Sequence, residues 1–178
     1  MSEVVAILHN LRSLHNVGSI FRTGDAAGVR KIYLTGITPA PVDGWGKIRP
    51  QFSKVALGAE KYVEWEKKRR FADAFRKLRG EGYKIFAVEQ NRNSVPYSRV
   101  DLRAGDKVAL VVGSEVDGLP NAVLQRCDKI LEIPMRGALV SESRHPRRQG
   151  SGKESLNVGV AFGVVIYHLM GKHKKHIK

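Results

Sequence analysis

The sequence predicts an α/β domain in which a mostly parallel sheet carries helices on both faces. Short, continuously apolar runs, typical of strands buried on both faces, alternate along the chain with longer segments of helical character. A length of 178 residues suits one hydrophobic core, and no internal repeat is present. We therefore expect a single domain over residues 1–171, with an inserted loop at 138–152 and a basic tail at 172–178.

The order of elements follows from these runs and from the glycines and prolines between them. Strands are predicted at 4–8, 31–34, 62–65, 84–88, 107–112 and 130–133. Helices are predicted at 15–27, 66–79 and 154–171, together with a short helix that begins at Pro120. Gly28 is suited to end the first helix in a left-handed conformation. Residues 37–50, rich in Pro and Gly, predict a long loop.

The net charge favours a polyanionic partner. Lys and Arg number 31 against 17 Asp and Glu, which gives a formal charge of +14, and such proteins bind phosphates with release of counterions. Charge alone does not separate RNA from DNA or from an anionic membrane. The longest apolar run, 158–170, is shorter than the roughly 18 residues of a membrane span. The lone Cys127 and the absence of a signal-peptide pattern predict a soluble, cytoplasmic protein without a zinc site.

The first polar segment with functional potential, residues 10–24, opens the first helix. Asn16 is predicted to be the N-cap, and Gly18 permits the close approach of another backbone or a phosphate. Arg22 has two interpretations: it pairs with Asp25 on the same helix, or it clamps a phosphate.

A second segment follows the apolar strand that ends at Gly113. Its residues, Ser114 to Gly118, lie where open parallel sheets bind ligands, at the carboxyl end of a strand. Glu115 and Asp117 are equally explained as acids near the positive end of the helix that begins at Pro120. The chain contains neither Gly-x-Gly-x-x-Gly nor a phosphate-binding loop, which disfavours an ordinary nucleotide-binding Rossmann enzyme.

A third segment combines the strand end at Ile133-Pro134-Met135 with Ser155 and Asn157 at the start of the last helix. Pro134 removes a backbone donor and ends strand pairing, so that Ile133 and Met135 are free to line an apolar slot for an adenine ring. Taken alone, Ser155 is explained as the N-cap of that helix.

Together, the three segments resemble the SpoU (TrmH-like) branch of the SPOUT RNA methyltransferases over nearly the whole chain. Asn16 with Arg22, GSE at 113–115 with GLP at 118–120, and IPM at 133–135 with SLN at 155–157 carry the resemblance. It implies an α/β fold with a deep C-terminal trefoil knot and a homodimer with sites at the subunit interface. It also implies bound S-adenosylmethionine and methylation of a ribose 2′-hydroxyl of RNA, with tRNA favoured over rRNA.

The resemblance also assigns residues to roles. The catalytic or substrate-positioning residues are expected to be Arg22, Asn16, Glu115, Ser155 and Asn157. The cofactor wall is expected to contain Glu89, Gly113, Ile133, Met135, Ser155 and Leu156. RNA contacts are expected from Arg12, Arg22, Lys47, Arg49, Arg144, Arg147 and Arg148.

Two of these roles rest on further chemical argument. A guanidinium group stays protonated and is a poor base, so Arg22 is expected to orient the hydroxyl, held by Glu115 and Asn16, while a nearby phosphate accepts the proton. For RNA capture, the basic residues between 67 and 79 form either a binding stripe on a helix or a merely solvated face. Trp45 either stacks on a splayed nucleotide or packs beneath its own loop.

Two alternatives remain open from the sequence. The insert at 138–152 falls where the pocket would be covered or RNA would enter, so the protein is either an active methyltransferase or an RNA-binding protein whose insert has disabled catalysis. Gly150-Ser151-Gly152 resembles a flexible linker, which leaves an engineered insert possible.

Overall fold

The chain forms one sheet whose strands are all parallel. The computed structural model describes residues 2–136 and 155–171. The strands are β1 (Glu3–His9), β2 (Lys31–Thr35), β3 (Glu64–Lys68), β4 (Lys84–Val88), β5 (Val95–Pro96), β6 (Lys107–Val112) and β7 (Lys129–Glu132). Within the described ranges they lie in the order β3-β2-β1-β6-β4-β7-β5, and each neighbouring pair is parallel.

Helices cover both faces of this sheet, as predicted. They are α1 (Leu14–Ala27), α2 (Pro50–Ala56), α3 (Phe71–Gly80), α4 (Asn121–Leu124) and α5 (Val158–Gly171). Alternate residues of β1 point into two separate cores: Ala6 packs with α1, α2 and α5, and Ile7 packs with α3 and α4. Burial of strand side chains on both faces explains why the strands read as continuous apolar runs. Within the described ranges, no helix has the length and apolarity to cross a membrane.

The ends of α1 follow local sequence signals, with one correction. Gly28 closes the helix in the predicted left-handed conformation, at φ 80°. The N-cap, however, is Ser13 and not Asn16: the Ser13 backbone is extended, and its hydroxyl accepts a hydrogen bond from the Asn16 N–H at 3.2 Å. The Asn16 side chain is thereby free to point toward another part of the chain.

One further boundary was predicted wrongly, and one helix was not predicted. Residues 66–68, rich in Glu and Lys, were expected in a helix but complete β3, because Glu66 and Lys67 pair with β2. Tertiary pairing here overrides a helical propensity worth only a few tenths of a kcal/mol per residue. The helix α2, which begins at Pro50, was not predicted, although Pro is favoured in the first helical turn.

The connections between strands change direction within the sheet. From β1 the chain proceeds through α1 to β2, whereas from β6 it proceeds through α4 to β7 on the other side of the sheet. The connections therefore diverge between β1 and β6, and open α/β sheets bind ligands near such a point. The strand β6 also borders the cavity that lies at the carboxyl ends of β4, β6 and β7. The predicted trefoil knot stays a prediction, since residues 137–154 lie outside the described ranges.

Candidate functional site

A cavity of about 250 Å³ lies at the carboxyl ends of β4, β6 and β7. Its wall includes all six residues expected to hold a cofactor: Glu89, Gly113, Ile133, Met135, Ser155 and Leu156. Val112, Val158 and Ala161 add apolar surface, and Gln90 and Ser114 to Gly118 add polar groups. The cavity thus combines apolar side chains with polar groups, as small-molecule sites do.

The loop between β6 and α4 folds tightly around the cavity. A side chain on Gly113 would place its Cβ 2.6 Å from the carbonyl carbon of Gly118, so only glycine fits there. The Glu89 carboxylate fixes the same turn, because its Oε2 accepts the Leu119 N–H at 2.8 Å. Glu89 therefore braces the cavity wall in addition to lining it.

Glu115 joins two segments that are distant in sequence. Its Oε2 accepts the Arg12 N–H at 3.0 Å, and its Oε1 accepts the Ser13 N–H at 3.1 Å and the Asn16 Nδ2 at 2.8 Å. The sequence singled out this acid, but its backbone donors in the turn before α1 were missed. The one available signal was the Ser13 N-cap, which exposes free N–H groups at the start of that helix.

The Glu115 carboxylate is held in its ionised form. Burial opposes ionisation, but the hydrogen bonds from Arg12, Asn16 and Ser13 outweigh it and lower the pKa of Glu115 below its ordinary value. A carboxylate that remains charged keeps both oxygens as acceptors. The position of Asn16 is therefore set by a permanent acceptor.

Asn157 extends this chain of hydrogen bonds to the last helix. Its Nδ2 donates to Asn16 Oδ1 at 3.0 Å, while its own Oδ1 accepts the Gly159 N–H at 2.9 Å. Asn157, and not Ser155, is thus the residue that caps α5. Glu115, Asn16 and Asn157, one from each of the three sequence segments, form a continuous hydrogen-bonded relay beside the cavity, which we call the Glu115 relay.

Arg22 stands apart from the relay, which corrects one expectation. It is exposed on α1, and within residues 2–136 and 155–171 it has no hydrogen bond or ion pair, with Asp25 or with any other residue. Glu115 and Asn16 bind each other and do not hold its guanidinium. In one subunit, Arg22 is therefore an available cation outside the cavity wall.

The other expected RNA contacts have varied surroundings. Arg12 pairs with Asp117 at 3.2 Å, both side chains being more than half exposed. Lys47 is exposed, and Arg49 donates from Nε to the Val42 carbonyl at 3.1 Å. Arg144, Arg147 and Arg148 lie in the range 137–154, which is not described.

The predicted basic stripe does not form on one helix. Its residues are divided among β3, α3 and the two-residue link between them, and acids neutralise most of them: Lys68 and Lys77 pair with Glu66, Arg70 and Arg76 with Asp73, and Arg79 with Asp128. Lys67 binds the Gly36 and Thr38 carbonyls. Within the described part of the chain, Arg69 alone among them has no such partner. The structure favours a paired, solvated face.

The arrangement of possible metal ligands in the described residues does not resemble a metal centre. Over the described ranges, no group of three or more His, Cys, Asp or Glu residues is arranged to hold a metal ion. The site is built from amides, the half-buried carboxylates of Glu89 and Glu115, the exposed Asp117 and apolar side chains.

Comparison with known proteins places the chain in a family. Residues 3–141 match the SpoU rRNA Methylase family. The 23S rRNA (guanosine-2'-O-)-methyltransferase RlmB of Xanthomonas axonopodis pv. citri is 30% identical over 164 residues, which cover 92% of this chain and 57% of that protein. The chain thus spans little more than half the length of this curated relative.

Solved structures agree in fold. The AdoMet-bound rRNA methyltransferase from Sinorhizobium meliloti superposes with a TM-score of 0.80 at 24% identity, over 97% of this chain and 57% of that chain. A structure described as giving insight into 2-OH methylation of C/U34 on tRNA has a TM-score of 0.70 at 27% identity, over 93% of this chain and 92% of that chain. With its three sequence segments gathered around one cavity, the chain is a member of the SpoU rRNA Methylase family.

Proposed function

We propose that this protein transfers a methyl group from S-adenosylmethionine to a ribose 2′-hydroxyl of RNA, as a cytoplasmic homodimer. The observation that carries the proposal is the Glu115 relay, which ties the three sequence segments together beside the cavity. Such a relay fixes side chains before substrate arrives, and alignment of two bound reactants can contribute about 7–11 kcal/mol to a displacement.

The cavity residues fit the proposed cofactor. Ile133, Met135 and Leu156 offer apolar surface to an adenine ring, and the polar turn at 113–118 offers backbone and hydroxyl groups to its ribose and amino-acid parts. When bound, S-adenosylmethionine supplies the methyl group from its sulfonium. Glu89 and the two glycines of the turn keep this wall in place.

Arg22 is proposed to orient the RNA. Its guanidinium has donors in a rigid fork that suits a phosphate or a hydroxyl, and no partner within the described residues competes for them. Because guanidinium is a poor base, a phosphate oxygen of the RNA is proposed to accept the hydroxyl proton.

The location of Arg22 supports the proposed homodimer. Within one subunit Arg22 is not part of the cavity wall, so a second copy is the natural source of an arginine for each site. The neighbouring helix α5 is apolar and leaves Val160 and Tyr167 each 53% exposed. These residues, one heptad apart, lie on one side of the helix. We propose that this side and α1 meet their counterparts in the dimer.

RNA as the substrate class is supported by charge and by similarity. The net charge of +14 suits phosphate binding. The curated relative is named for 23S rRNA, whereas the structure of similar length concerns tRNA. We propose tRNA as the preferred substrate, since that structure and this chain cover each other almost completely.

The test is methyl transfer from labelled S-adenosylmethionine to total RNA, followed by mapping of 2′-O-methylated positions through their resistance to alkaline cleavage. We expect label at defined riboses, predominantly in tRNA. Binding of the methyl donor and of RNA without any transfer would instead support an RNA-binding protein on this scaffold. Label at rRNA positions only would correct the substrate but not the reaction.

A further inference from the structure

Trp45 is an exposed aromatic side chain that the proposed reaction does not use. The residue is 89% exposed on the segment between β2 and α2, residues 36–49, which we call the Trp45 loop. Its indole does not pack beneath the loop. Tryptophan has a large apolar surface, so an indole displayed to solvent on an ordered loop is suited to a ligand with a flat face.

The tip of the Trp45 loop is held by its own hydrogen bonds. Asp43 Oδ1 accepts the backbone N–H groups of Trp45 at 2.9 Å and of Lys47 at 3.0 Å. The Asp43 N–H donates back to the Lys47 carbonyl at 2.8 Å, and Val42 forms an antiparallel bridge with Ile48. The indole is therefore mounted on a defined turn.

The base of the loop is fixed to the sheet. Thr38 Oγ1 donates to the Leu8 carbonyl at 2.9 Å and accepts the Leu11 N–H at 3.1 Å. Lys67 Nζ donates to the Gly36 carbonyl at 2.8 Å. A loop ordered in advance loses little conformational entropy when it binds, which favours affinity.

The Trp45 loop and the cavity lie on the same edge of the sheet. The loop leaves the carboxyl end of β2, and the cavity lies at the carboxyl ends of β4, β6 and β7, all of which run parallel to β2. Leu11, which contacts the base of the loop, adjoins Arg12, whose N–H binds Glu115. Trp45 is therefore displayed at the same edge of the sheet as the cavity.

We propose that Trp45 is a stacking platform for an unpaired base of the RNA substrate, with Lys47 bound to the adjoining phosphate; this inference rests on the proposed function. Lys47 is exposed two residues from Trp45, and the one acid of the loop, Asp43, is occupied by backbone donors. Aromatic stacking accepts any base because every base has a flat face. An A-form duplex hides those faces, so the platform selects single-stranded RNA.

The test uses the intrinsic fluorescence of Trp45 in a Trp65→Phe background. The chain has two tryptophans, and Trp65 is half-buried against the core. A short oligoadenylate is expected to quench Trp45 emission, and a blunt RNA duplex of the same length is not. Calorimetry, which does not depend on the indole, measures binding by the Trp45 variants: we expect Trp45→Ala to weaken oligoadenylate binding about 5- to 150-fold, the equivalent of losing one base–aromatic stack, and Trp45→Phe to retain most of it.

Tyr62→Ala is the matched control. Tyr62 is 79% exposed, but it precedes the amino end of β3 and so lies at the opposite edge of the sheet. Its removal is expected to leave oligoadenylate binding unchanged. An equal loss in both variants would mean that any exposed aromatic side chain contributes, and would overturn the platform.

The remaining outcomes separate this inference from the proposed reaction. If wild-type protein methylates RNA and Trp45→Ala binds and methylates it equally well, the platform is wrong and the reaction stands. If Trp45→Ala weakened the binding of duplex and single-stranded RNA equally, base stacking by Trp45 would also be overturned. If the emission of Trp45 changed with protein concentration but not on addition of RNA, a second copy of the chain would be shown to cover Trp45, and the platform would be wrong. If wild-type protein transfers no methyl group to any RNA, the proposed reaction itself fails.

Discussion

Glu115, beside the cavity, is held by uncharged N–H donors, whereas Glu66, on the outer strand β3, is surrounded by lysines. Glu115 binds Arg12 and Ser13 through their backbone and Asn16 through its amide. Glu66 pairs with Lys31 at 3.2 Å and Lys77 at 3.5 Å, as well as with Lys68. Hydrogen bonds from fixed backbone groups define a position, but flexible lysines around the half-buried Glu66 carboxylate define little beyond charge balance.

The basic side chains of the two regions also differ in whether an acid neutralises them. On the β3–α3 surface, residues 66–79, most basic side chains are neutralised by acids. On α1, Arg22 has no such partner among the described residues. A dense run of positive charge in sequence is therefore a poor guide to the charge that is free to bind RNA. Four predictions test this contrast.

The largest effect is expected at Arg22. Arg22→Ala and Arg22→Lys should both lower methyl transfer about 10²- to 10³-fold, because a lysine lacks the two-pronged donor geometry. Binding of the methyl donor, measured by calorimetry, should persist, and the free energy of unfolding should change by less than about 0.5 kcal/mol because the side chain is exposed. The matched control is Arg76→Ala on α3, where Asp73 already neutralises the charge; its transfer rate should equal that of wild type. Near-normal transfer by Arg22→Lys would refute the geometric argument.

A smaller effect is expected at the two acids themselves. Glu115→Gln presents an N–H group to donors that need an acceptor, so we expect a loss of about 1–3 kcal/mol in the free energy of unfolding. Methyl transfer should fall about tenfold or more because Asn16 loses its fixed position. Glu66→Gln should cost less than about 1 kcal/mol and leave transfer unchanged. Urea denaturation measures the free energy of unfolding of the two variants, and transfer assays measure their activity. Equal losses in Glu115→Gln and Glu66→Gln would contradict the proposed difference between the two acids.

Two substitutions of Asn157 distinguish its role as the cap of α5 from its role as the donor to Asn16. Asn157→Ala removes both the cap of α5 and the donor to Asn16, whereas Asn157→Asp removes only the donor. We expect the alanine variant to be less stable than the aspartate variant by about 1 kcal/mol, the usual value of an N-cap. Transfer should fall similarly in both, since both lose the bond to Asn16. Wild-type transfer by Asn157→Asp would show that the relay does not need to reach α5.

The smallest effect is the pH dependence contributed by Glu66. Hydrogen bonds and charge from its lysines, led by Lys68, outweigh burial and hold the pKa of Glu66 at about 2, against an ordinary 4.5. A carboxylate with a lowered pKa stabilises the folded state above its unfolded pKa and loses that contribution as pH falls from 4.5 through about 2. Thermal melts at about pH 7 and about pH 3 should therefore show a larger drop in Tm for wild type than for Glu66→Gln. The difference should shrink at high salt, which screens exposed pairs.

Much of this architecture follows from local sequence. The apolar runs of β1, β4 and β6 predicted buried parallel strands because such strands need apolar side chains on both faces. Gly28 predicted the end of α1 because its left-handed conformation is strained for other residues. The boundary between β3 and α3 was missed because Glu and Lys favour helices, and only pairing with β2 holds them in a strand.

The sequence by itself determined the parallel α/β fold and predicted the residues that line the cavity, because strand periodicity, turn glycines and the three polar segments are local features of the chain. The tertiary structure decided what those residues do to one another. It made Ser13 and Asn157 the helix caps, placed Glu115 against Asn16 and left Arg22 without an acidic partner among the described residues. These roles depend on distances between segments far apart in the chain, which only packing of α1, α5 and the β6–α4 turn on one edge of the sheet can set.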